Sequence, residues 1–591
     1  MEIWFNYLAQ ILVFGVLAVS LNLLLGYAGQ VSVAHAAFAA VGGYAMGYLV
    51  QEREWSYLPA LFVGVILAFI AGMIVALPAL KLSVEYLILL TLAVSSVILG
   101  GFVAFRQLGG TYGLIQISNN DIFGFHLDRK RDWLLPTGFG LAIVYFVCWR
   151  IGESPYGRVL KGLREDPLAT EALGKNVFAY KVSVFAITSA MAGLGGALYS
   201  GLLGLATPGV YGFNFSLTIF AVVIFGGMAN LSGSVFGAVI IVLLDPFLQR
   251  VLKLKADKAF VIQLIVYGIA LTALMRLRPQ GLFPEGMSIW RRLRYGKAKM
   301  ARVEMSDETW VPNLEVKARV GDGQPSGTEQ DRREARWQAA PVVLQARGIS
   351  KSFGGIVAAE DLDIDLRQGT ITALVGPNGA GKTTVFNLFT GFIRPDHGSV
   401  VLNGSELIGR TPDAVARMGL VRSFQDVRLI QRISCLHNVM LAVQAQPGEQ
   451  LTTLLISGSA SAKGERATRE KAMGWLSFVG MADFADVPAG ALSYGQSKLL
   501  SLARVLATEA DVLLLDEPAS GIDTKWVDTM LDLIEAVRDQ GRTVCIVEHN
   551  LHVVGRLADH TYFMELGRIT AQGTIDELTG SERLAEAYFG T

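Results

Sequence analysis

The residues of this chain that are best suited to chemistry lie in its C-terminal half. A phosphate-binding loop is indicated by the run Gly376-Pro377-Asn378-Gly379-Ala380-Gly381-Lys382-Thr383. Its glycines allow backbone amides to turn toward a phosphate, and the following helix adds the positive end of its dipole. Lys382 would neutralise β- and γ-phosphate charge, and the Thr383 hydroxyl would be a ligand for Mg²⁺. The loop therefore predicts a nucleoside triphosphate as the substrate.

Two acidic residues follow an apolar strand further along the chain. Asp516 and Glu517 come directly after Val512-Leu513-Leu514-Leu515. A carboxylate at the carboxyl end of a strand can reach a metal ion, and the next one can polarise a water for attack on the γ-phosphate. Such a pair alone is common on protein surfaces. Downstream of a phosphate loop, it predicts ATP hydrolysis.

Short β-branched runs alternate with helical patterns through the second half of the chain. Strands are predicted at Ile371–Val375, Val512–Leu515 and Thr543–Val547, and a helix opens at Thr384–Thr390. This alternation is typical of an α/β nucleotide-binding domain. The three cysteines, Cys148, Cys435 and Cys545, are too scattered for a disulfide framework or a metal cluster.

The first half has a different composition. The chain has 591 residues, 52% of them hydrophobic, and charged residues are sparse before about residue 280. Several apolar segments approach the ~20 residues that cross a hydrocarbon core. We expect about 8–10 spans, of which the first is a retained helix rather than a cleaved signal. The candidate spans are 3–25, 34–50, 58–78, 84–106, 133–151, 179–203, 215–231, 233–249 and 259–277.

Some residues in the membrane half invite a specific interpretation. Small residues four apart, Gly43/Gly47 and Ala192/Gly196/Ser200, predict close approach of neighbouring helices. His35 in the second span is a functional candidate by default. A histidine hydrogen-bonded between helices is the alternative that we prefer.

The ordered motifs of the second half resemble those of ATP-binding cassette (ABC) transporters. Leu492-Ser493-Tyr494-Gly495-Gln496 is similar to the signature motif of that family, although the usual third residue is glycine and here it is Tyr494. The resemblance implies that two cassettes close head to tail, so that Ser493 binds the ATP held by the other cassette. It implies catalytic roles for Glu517, His549 as the switch histidine and Gln425 of the Q-loop, and Mg²⁺ ligation by Thr383, Gln425 and Asp516. The implied ATP-binding set is Phe353, Gly376, Asn378, Gly379, Gly381, Lys382, Thr383, Thr384, Ser493, Gly495 and Gln496, with Asp523 as the D-loop aspartate.

The resemblance narrows to importers of branched-chain amino acids. Gly419–Gln425 and the tail Glu586–Gly590 resemble their ATPase subunits, and Leu21–Gln30 and Gly157–Lys175 resemble their permease subunits. The implied fold is a polytopic α-helical membrane domain followed by an α/β P-loop ABC-type ATPase domain. The implied domains are a transmembrane permease at 1–288, a flexible cytoplasmic linker at 289–340 and a nucleotide-binding domain at 341–591.

The element Glu171–Gly174 resembles the coupling helix that seats on the cassette beside Gln425. Because the ATPase must face cytosolic ATP, counting four crossings back from residue 278 places the loop 152–178 in the cytoplasm and the N-terminus outside. The basic residues of that loop agree with the positive-inside tendency. The same count places two other basic clusters, Arg129–Arg131 and Arg250–Lys258, outside, against the tendency.

The leading interpretation is ATP-driven import of branched-chain or other hydrophobic amino acids across the bacterial cytoplasmic (inner) membrane. Its expected partners are an extracytoplasmic substrate-binding protein, the lipid bilayer, and either a second permease and ATPase or a second copy of the chain; no nucleic acid is expected. Import of urea or short amides is an alternative. An ABC exporter half-transporter is another, although exporters of that type have fewer and longer helices. A membrane-tethered ATPase that regulates without transporting is the third, and the glycine-rich membrane half favours a translocation path over an anchor.

Overall fold

The chain divides into two compact units in the computed structural model. The model describes residues 2–79, 84–117, 121–122, 125–127, 129–251, 256–278, 281–285 and 329–579. The first unit comprises residues 1–164, 178–302 and 451–457, and the second comprises 165–177, 303–450 and 458–591. Each unit therefore includes a short segment that lies, in sequence, inside the other. The C-terminal tail 586–590 and most of the predicted linker lie outside the described residues.

Helices dominate the N-terminal half of the sequence. Six helices are long and apolar enough to cross a membrane, judged by length and composition over the described residues. Each of the nine predicted spans coincides with a helix. The elements are α1 Glu2–Asn22, α2 His35–Arg53, α3 Tyr57–Ala79, α4 Val84–Ala104, β1 Leu114–Ile115, β2 Asp121–Ile122, β3 Phe125–His126, α5 Leu134–Gly152, α6 Pro155–Glu165, α7 Pro167–Ala172, α8 Val177–Leu203, β4 Leu205–Ala206, α9 Phe213–Gly226, α10 Leu231–Pro246 and α11 Ala256–Leu277, with π-helical turns at Leu23–Tyr27 and Phe247–Val251.

Small residues bring α2 and α8 into direct backbone contact, as their spacing predicts. A Cβ added at Gly196 would lie 1.8 Å from the carbonyl oxygen of Ala39, and one at Gly43 would lie 2.5 Å from Ser200 Oγ. Both distances are far below van der Waals contact, so only hydrogen fits at these positions. His35, at the start of α2, lies 2.8 Å from Ser20 Oγ on α1 through its Nε2 atom. The interhelical hydrogen bond that we preferred for His35 is thus present.

A polar network joins the end of α1 to the turn between α9 and α10. The Asn22 side chain accepts from the amide of Ala229 at 2.8 Å and donates to Gly227 O at 3.1 Å and Ser234 Oγ at 2.7 Å. Because Asn22 satisfies the polar groups of this turn, the α9–α10 hairpin can reverse direction inside an apolar unit. Nearby, the Arg164 guanidinium donates to Gly26 O at 2.5 Å and pairs with Glu285 at 2.8 Å.

Other helix ends of the same unit meet in a separate cluster. Strand β1 pairs antiparallel with β4, and Lys130 donates to Leu202 O at 2.5 Å. The Tyr57 and Trp133 rings pack edge to face. This cluster joins the C-terminal end of α8 to the connection that follows α4, whereas the Asn22 network joins the end of α1 to the turn after α9. Along the chain, helix ends near Asn22 alternate with helix ends near the β1–β4 pair. This alternation is expected of successive helices that cross a membrane in opposite directions.

The second unit contains two sheets with helices around them. Its elements are α12 Glu329–Ala339, β5 Val342–Phe353, β6 Ile356–Arg367, β7 Ile371–Val375, α13 Lys382–Phe389, β8 His397–Leu402, β9 Ser405–Glu406, α14 Pro412–Arg417, β10 Leu420–Arg422, α15 Cys435–Ala442, α17 Gly458–Phe478, α18 Tyr494–Leu506, β11 Val512–Asp516, α19 Thr524–Asp539, β12 Thr543–Val547, α20 Leu551–Leu557, β13 His560–Glu565, β14 Arg568–Gly573 and α21 Ile575–Thr579. The helix α16, Leu451–Ile456, belongs to the first unit. Short 3₁₀ turns occupy Arg106–Leu108, Gly110–Tyr112, Pro447–Glu449, Ala482–Phe484 and Ala489–Ala491.

The larger sheet has six strands in the order β10-β11-β12-β7-β13-β14. All neighbours are parallel except the last pair. Strands β7, β11 and β12 are buried along their whole length, as expected of parallel strands that are covered on both faces. They match the three predicted strands, so the α/β prediction for this half is confirmed. The smaller sheet is antiparallel, in the order β6-β5-β8-β9.

The last part of the predicted linker folds onto the second unit as α12. Trp337 stacks on the ring of His560 with 3.8 Å between the ring centroids, and the Arg367 guanidinium carbon lies 4.3 Å from the centroid of the Trp337 ring. Arg336 pairs with the buried Asp559 at 2.9 Å. Burial lowers the pKa of His560 to about 4, so this ring stays neutral in the stack. The sequence predicted a flexible tether here, because a single aromatic residue gives little signal of a docking partner far along the chain.

We predict that Gly196→Ile destabilises the membrane-spanning unit. The added side chain would collide with the backbone of Ala39, which cannot move without separating α2 from α8. We expect a loss of about 3 kcal/mol or more, seen as a lower melting temperature and a poor yield of monodisperse protein in detergent. Gly100→Ile is the control, because a Cβ there meets no atom within 4 Å. Equal behaviour of the two variants would contradict the packing.

Candidate functional site

The phosphate loop joins the buried strand β7 to α13. Gly376 has a φ of +148° and Gly381 one of +105°, which L side chains rarely adopt. A Cβ at Gly376 would also lie 2.0 Å from Met564 O, and one at Gly381 would lie 2.1 Å from Ala358 O. Glycine is therefore required at both positions by conformation and by space. Gly379, at a φ of +85°, faces open space, where a phosphate could approach the backbone.

Lys382 folds back over this loop. Its ammonium donates to the carbonyls of Gly376 at 2.7 Å and Pro377 at 2.9 Å. Burial lowers the pKa of Lys382, while the nearby Glu517 and Asp516 carboxylates act in the opposite direction. The loop thus holds a cation where β- and γ-phosphates would lie. Asn378 and Thr383 are exposed beside it, and Thr384 is half-buried in the first turn of α13.

Three predicted catalytic residues meet at Glu517. Gln425 donates through Nε2 to Glu517 Oε2 at 3.1 Å, and His549 Nδ1 lies 3.7 Å from Glu517 Oε1. Glu517 has a φ of +47°, a conformation that is unfavourable for a side chain, and its amide donates to Val547 O at 2.9 Å. The adjacent strands β11 and β12 fix this geometry, because Asp516 and Val547 are register partners.

Asp516 is held by the neighbouring strand β10. Its Oδ2 atom accepts from Arg422 at 3.3 Å, and its amide donates to Ser423 Oγ at 3.0 Å. Burial raises the pKa of this carboxyl, and the Arg422 charge opposes the shift. Its Oδ1 atom is buried and, among the described residues, has no hydrogen-bond partner. That oxygen is free to ligate a cation.

Lys498 ties the signature helix α18 to the catalytic residues, a role that the sequence did not suggest. Its buried ammonium donates to the carbonyl oxygens of Gln425 at 3.1 Å and Glu517 at 3.0 Å. Burial lowers its pKa, and Glu517, the largest opposing influence, raises it. Lys498 lies at the start of the second turn of α18 on an otherwise ordinary amphipathic pattern, so its sequence context gave no signal.

The signature residues form the capped beginning of α18. Ser493 is the N-cap: its Oγ accepts from Gln496 N at 3.4 Å, while Gln496 Oε1 accepts from Ser493 N at 3.0 Å. The Ser493 hydroxyl hydrogen remains available to donate at a helix N-terminus, where anions bind favourably. A Cβ at Gly495 would lie 3.4 Å from the Trp526 ring.

Phe353 and Asp523 are two further residues of the predicted ATP site. Phe353 ends β5, is 44% exposed and pairs with Ile356 across a tight hairpin. The hairpin strand β6 reaches the phosphate loop, since Ala358 O lies beside Gly381. An exposed aromatic face next to the loop is suited to stacking on a base. Asp523 is the N-cap residue of α19.

The second unit also contains the segment Glu165–Val177, which we call the coupling segment. Asp166 caps α7 by accepting from Ala169 N at 2.9 Å, and its other oxygen pairs with Arg428 at 3.1 Å. At the far end of the segment, the Lys175 side chain is 2% exposed, and its ammonium pairs with Glu449 at 2.6 Å. It also donates to Val443 O at 2.8 Å.

Backbone carbonyls of the coupling segment are also bound by side chains from the rest of the unit. Arg417 donates to Gly174 O at 2.9 Å, and Gln444 donates to Leu173 O at 2.5 Å. The predicted coupling element Glu171–Gly174 thus lies against α14 and the end of α15. Arg428 lies three residues after Gln425 and pairs with Asp166. The coupling segment therefore also contacts the loop that carries Gln425.

A nucleotide site at the carboxyl edge of a parallel sheet, a signature helix and a membrane-spanning helical unit together define an ABC-type ATPase joined to a permease. A model described as the permease component of the branched-chain amino acid transport system matches residues 3–274, and a model described as ABC transporter matches residues 359–520. The chain belongs to the branched-chain amino acid transport family of ABC transporters. It is a multi-pass membrane protein that binds and hydrolyses ATP, and the predicted fold class is confirmed.

Curated relatives cover the cassette half of the chain. The high-affinity branched-chain amino acid transport ATP-binding protein BraF of Pseudomonas aeruginosa is 34% identical over 42% of this chain and 98% of its own. LivG of Escherichia coli is 33% identical over the same shares. A crystal structure of a nucleotide-free ATP-binding cassette from an ABC transporter aligns with 42% of this chain and 100% of its own, at 30% identity and a TM-score of 0.38.

We predict that Glu517→Gln lowers kcat for ATP hydrolysis by roughly 10²-fold or more, because an amide cannot polarise the attacking water. ATP binding should persist, since Lys382 and the loop glycines are unchanged. Steady-state hydrolysis and equilibrium binding of a fluorescent ATP analogue would separate the two effects. Glu509→Gln, on an exposed ion pair with Lys471, is the matched control and should leave both unchanged. Wild-type turnover in Glu517→Gln would exclude Glu517 as the base.

Proposed function

We propose that this chain is a fused permease–ATPase subunit that imports branched-chain or other hydrophobic amino acids across the bacterial cytoplasmic membrane. The observation that carries the proposal is the coupling segment: residues between two helices of the membrane half fold into the cassette. An ATPase that holds part of a permease in its own fold can transmit its conformational change to a translocation path. The relatives' names, which specify branched-chain amino acid transport, support the choice of cargo.

The chain's residues account for hydrolysis by positioning and charge. Lys382 and the loop amides would hold the β- and γ-phosphates, and Glu517 would orient and deprotonate the attacking water. Gln425 and His549, both beside Glu517, would fix that water and the γ-phosphate. Phosphoryl transfer to water needs little more, because its loose transition state is stabilised mainly by charge and alignment.

Mg²⁺ fits the donors next to Lys382. The free Asp516 Oδ1 atom, the Thr383 hydroxyl and the Gln425 side chain are oxygen donors of the kind that Mg²⁺ prefers. Bound there with ATP, the ion would neutralise charge on the β- and γ-phosphate oxygens. Among the described residues there is no cluster of three or more His, Cys, Asp or Glu that could hold a metal without a ligand. A site completed by the nucleotide agrees with both observations.

A second cassette would complete the ATP site. Ser493 uses its oxygen lone pair within its own helix cap and presents its hydroxyl hydrogen at the N-terminus of α18. We propose that it donates to the γ-phosphate of ATP bound by the other cassette. The other cassette and permease belong either to a second copy of the chain or to separate subunits, and an extracytoplasmic binding protein would deliver the cargo.

The membrane topology follows from the two clusters of helix ends. The ends near Asn22, Arg164 and Glu285 would lie on the cytoplasmic side, because Arg164 directly precedes the coupling segment. The ends near Lys130 and the β1–β4 pair would lie outside. Nine crossings, one for each helix that coincides with a predicted span, would place the N-terminus outside and residue 278 inside, which is the orientation proposed from the sequence; six of these helices are long and apolar enough to cross a membrane, judged over the described residues.

Uptake of radiolabelled leucine into proteoliposomes tests the cargo. The complex purified with this chain, ATP on the cassette side and an added binding protein should accumulate leucine, and Glu517→Gln should abolish accumulation. Urea and acetamide, supplied in parallel, should not accumulate. Uptake of urea but not leucine would contradict amino acid import and would favour the alternative, an importer of urea or short amides. ATP-driven release of preloaded leucine without a binding protein would indicate an exporter.

We predict that Lys175→Met uncouples hydrolysis from uptake. The change leaves the half-buried Glu449 without its cation and loosens the coupling segment. We expect leucine uptake to fall about 10-fold, equivalent to ~1.4 kcal/mol of coupling, while basal hydrolysis stays within about 2-fold. Uptake and phosphate release would be measured on the same proteoliposomes.

The matched control for Lys175→Met is Lys471→Met, which breaks an exposed ion pair on the same cassette. It should leave uptake and hydrolysis unchanged. The double variant Lys175→Met/Glu449→Gln should lose no more uptake than Lys175→Met alone, because the two residues act as one pair. An unchanged ratio of leucine uptake to ATP hydrolysis in Lys175→Met would contradict the role proposed for the coupling segment.

A further inference from the structure

One short segment of the cassette half's sequence belongs to the membrane-spanning unit. Leu451–Ser457 is part of the first unit, although the residues before and after it belong to the second. We call this segment the apolar insert. It contains the helix α16, which packs against α5 of the first unit. The apolar insert is thus the counterpart of the coupling segment, which comes from the membrane half of the sequence and belongs to the second unit.

The apolar insert differs in composition from the sequence around it. No charged residue occurs between Glu449 and Lys463, although charged residues are frequent in this half of the chain. Within α16, Leu454 is buried, whereas the two residues that follow it remain accessible. Leu455 is 48% exposed and Ile456 is 83% exposed. The helix therefore presents branched aliphatic side chains on its outer face.

The helix against which the insert packs has a face that is suited to lipid. Judged over the described residues, α5 is long and apolar enough to cross a membrane. One face of α5 is buried in the unit, and the large exposed side chains on its other face recur every three or four residues. They are Leu135, Phe139, Ile143, Phe146 and Trp149. A continuous apolar row of this kind, on a helix that crosses a membrane, is suited to contact with lipid tails.

The length of the insert limits where along α5 it can lie. A chain of seven residues extends at most about 25 Å, so an insert that leaves and rejoins the cassette projects about 12 Å at most. The end of α5 that leads through α6 into the coupling segment is therefore the end within reach. Trp149 lies in the last turn at this end, and tryptophan is typical of the level of the lipid headgroups.

We propose that the apolar insert is an interfacial lipid anchor of the cassette. Leu455 and Ile456 enter the boundary between headgroups and acyl chains in the cytoplasmic leaflet, beside the end of α5. A helix of six residues is far too short to cross the hydrocarbon core, but its aliphatic side chains can enter the interface. The anchor is independent of the cargo, and it holds equally for an importer of urea.

Site-specific fluorescence quenching tests the anchor on the purified full-length complex in lipid nanodiscs. The native cysteines are all buried, so Ile456→Cys provides an accessible position for a bimane label. A nitroxide on the acyl chain close to the headgroup should quench this label, and iodide in the water should not. Leu566→Cys is the matched control, because Leu566 is an aliphatic residue of nearly equal exposure, 81%, in the turn after β13. We expect lipid quenching to be about 3-fold stronger or more at position 456, because interfacial side chains lie only about 5–10 Å below the headgroups.

Each other quenching pattern would contradict the anchor. Strong quenching by iodide and little by lipid at Ile456→Cys would show that the insert faces water. Protection from both quenchers would show that another subunit covers it. Leu455→Cys repeats the measurement one residue earlier and should also be quenched by lipid. A melting temperature equal to that of the wild type verifies that each labelled variant is folded.

Discussion

A buried ion pair, Lys175–Glu449, holds a segment of the membrane half's sequence within the fold of the cassette. The Lys175 side chain is 2% exposed, so its ammonium would be costly to bury without the carboxylate, and the carbonyl of Val443 accepts a further hydrogen bond from it. Arg417 and Gln444 bind the backbone of the same segment, so its position is fixed at several atoms. The segment continues directly into α6 and α8, so one stretch of chain belongs to the fold of the cassette and leads at both ends into helices of the membrane half.

That surface and the nucleotide site share one sheet edge. The parallel strands β7, β10, β11 and β12 end at this edge: the phosphate loop follows β7, Arg422 and Asp516 are the last residues of β10 and β11, and His549 lies two residues after β12. A loop that leaves this edge, such as the one carrying Phe424 and Gln425, can contact the reacting groups at one end and an outside element at the other. The fold thus needs no long chain of intermediates between hydrolysis and the coupling segment, because one loop of a few residues spans the distance.

Local patterns in the sequence predicted the elements, and the ordered motifs predicted which residues meet. Strands β7 and β12 have the predicted ends, and Glu517 lies beside Gln425 and His549. Lys498, Arg428 and Glu449 were not anticipated, because each acts through a partner distant in sequence and lies in an unremarkable context. Trp337 likewise gave no sign that it would dock on His560. Long-range pairing of single charged or aromatic side chains depends on the folded surface, which spacing along the chain does not encode.

Tyr494 shows how a departure from the family's motif is accommodated. Its ring passes over Gly521, where an added Cβ would lie 3.1 Å from Tyr494 Cε1, and Gly521 has a φ of +74°. The Lys498 ammonium lies 5.7 Å from the same ring. The tyrosine side chain is thus directed against its own chain, while Ser493 and the amides at the start of α18 remain free to face a phosphate. A bulky residue at this position is therefore compatible with nucleotide binding, because the glycine in the D-loop supplies the space that the signature motif has lost.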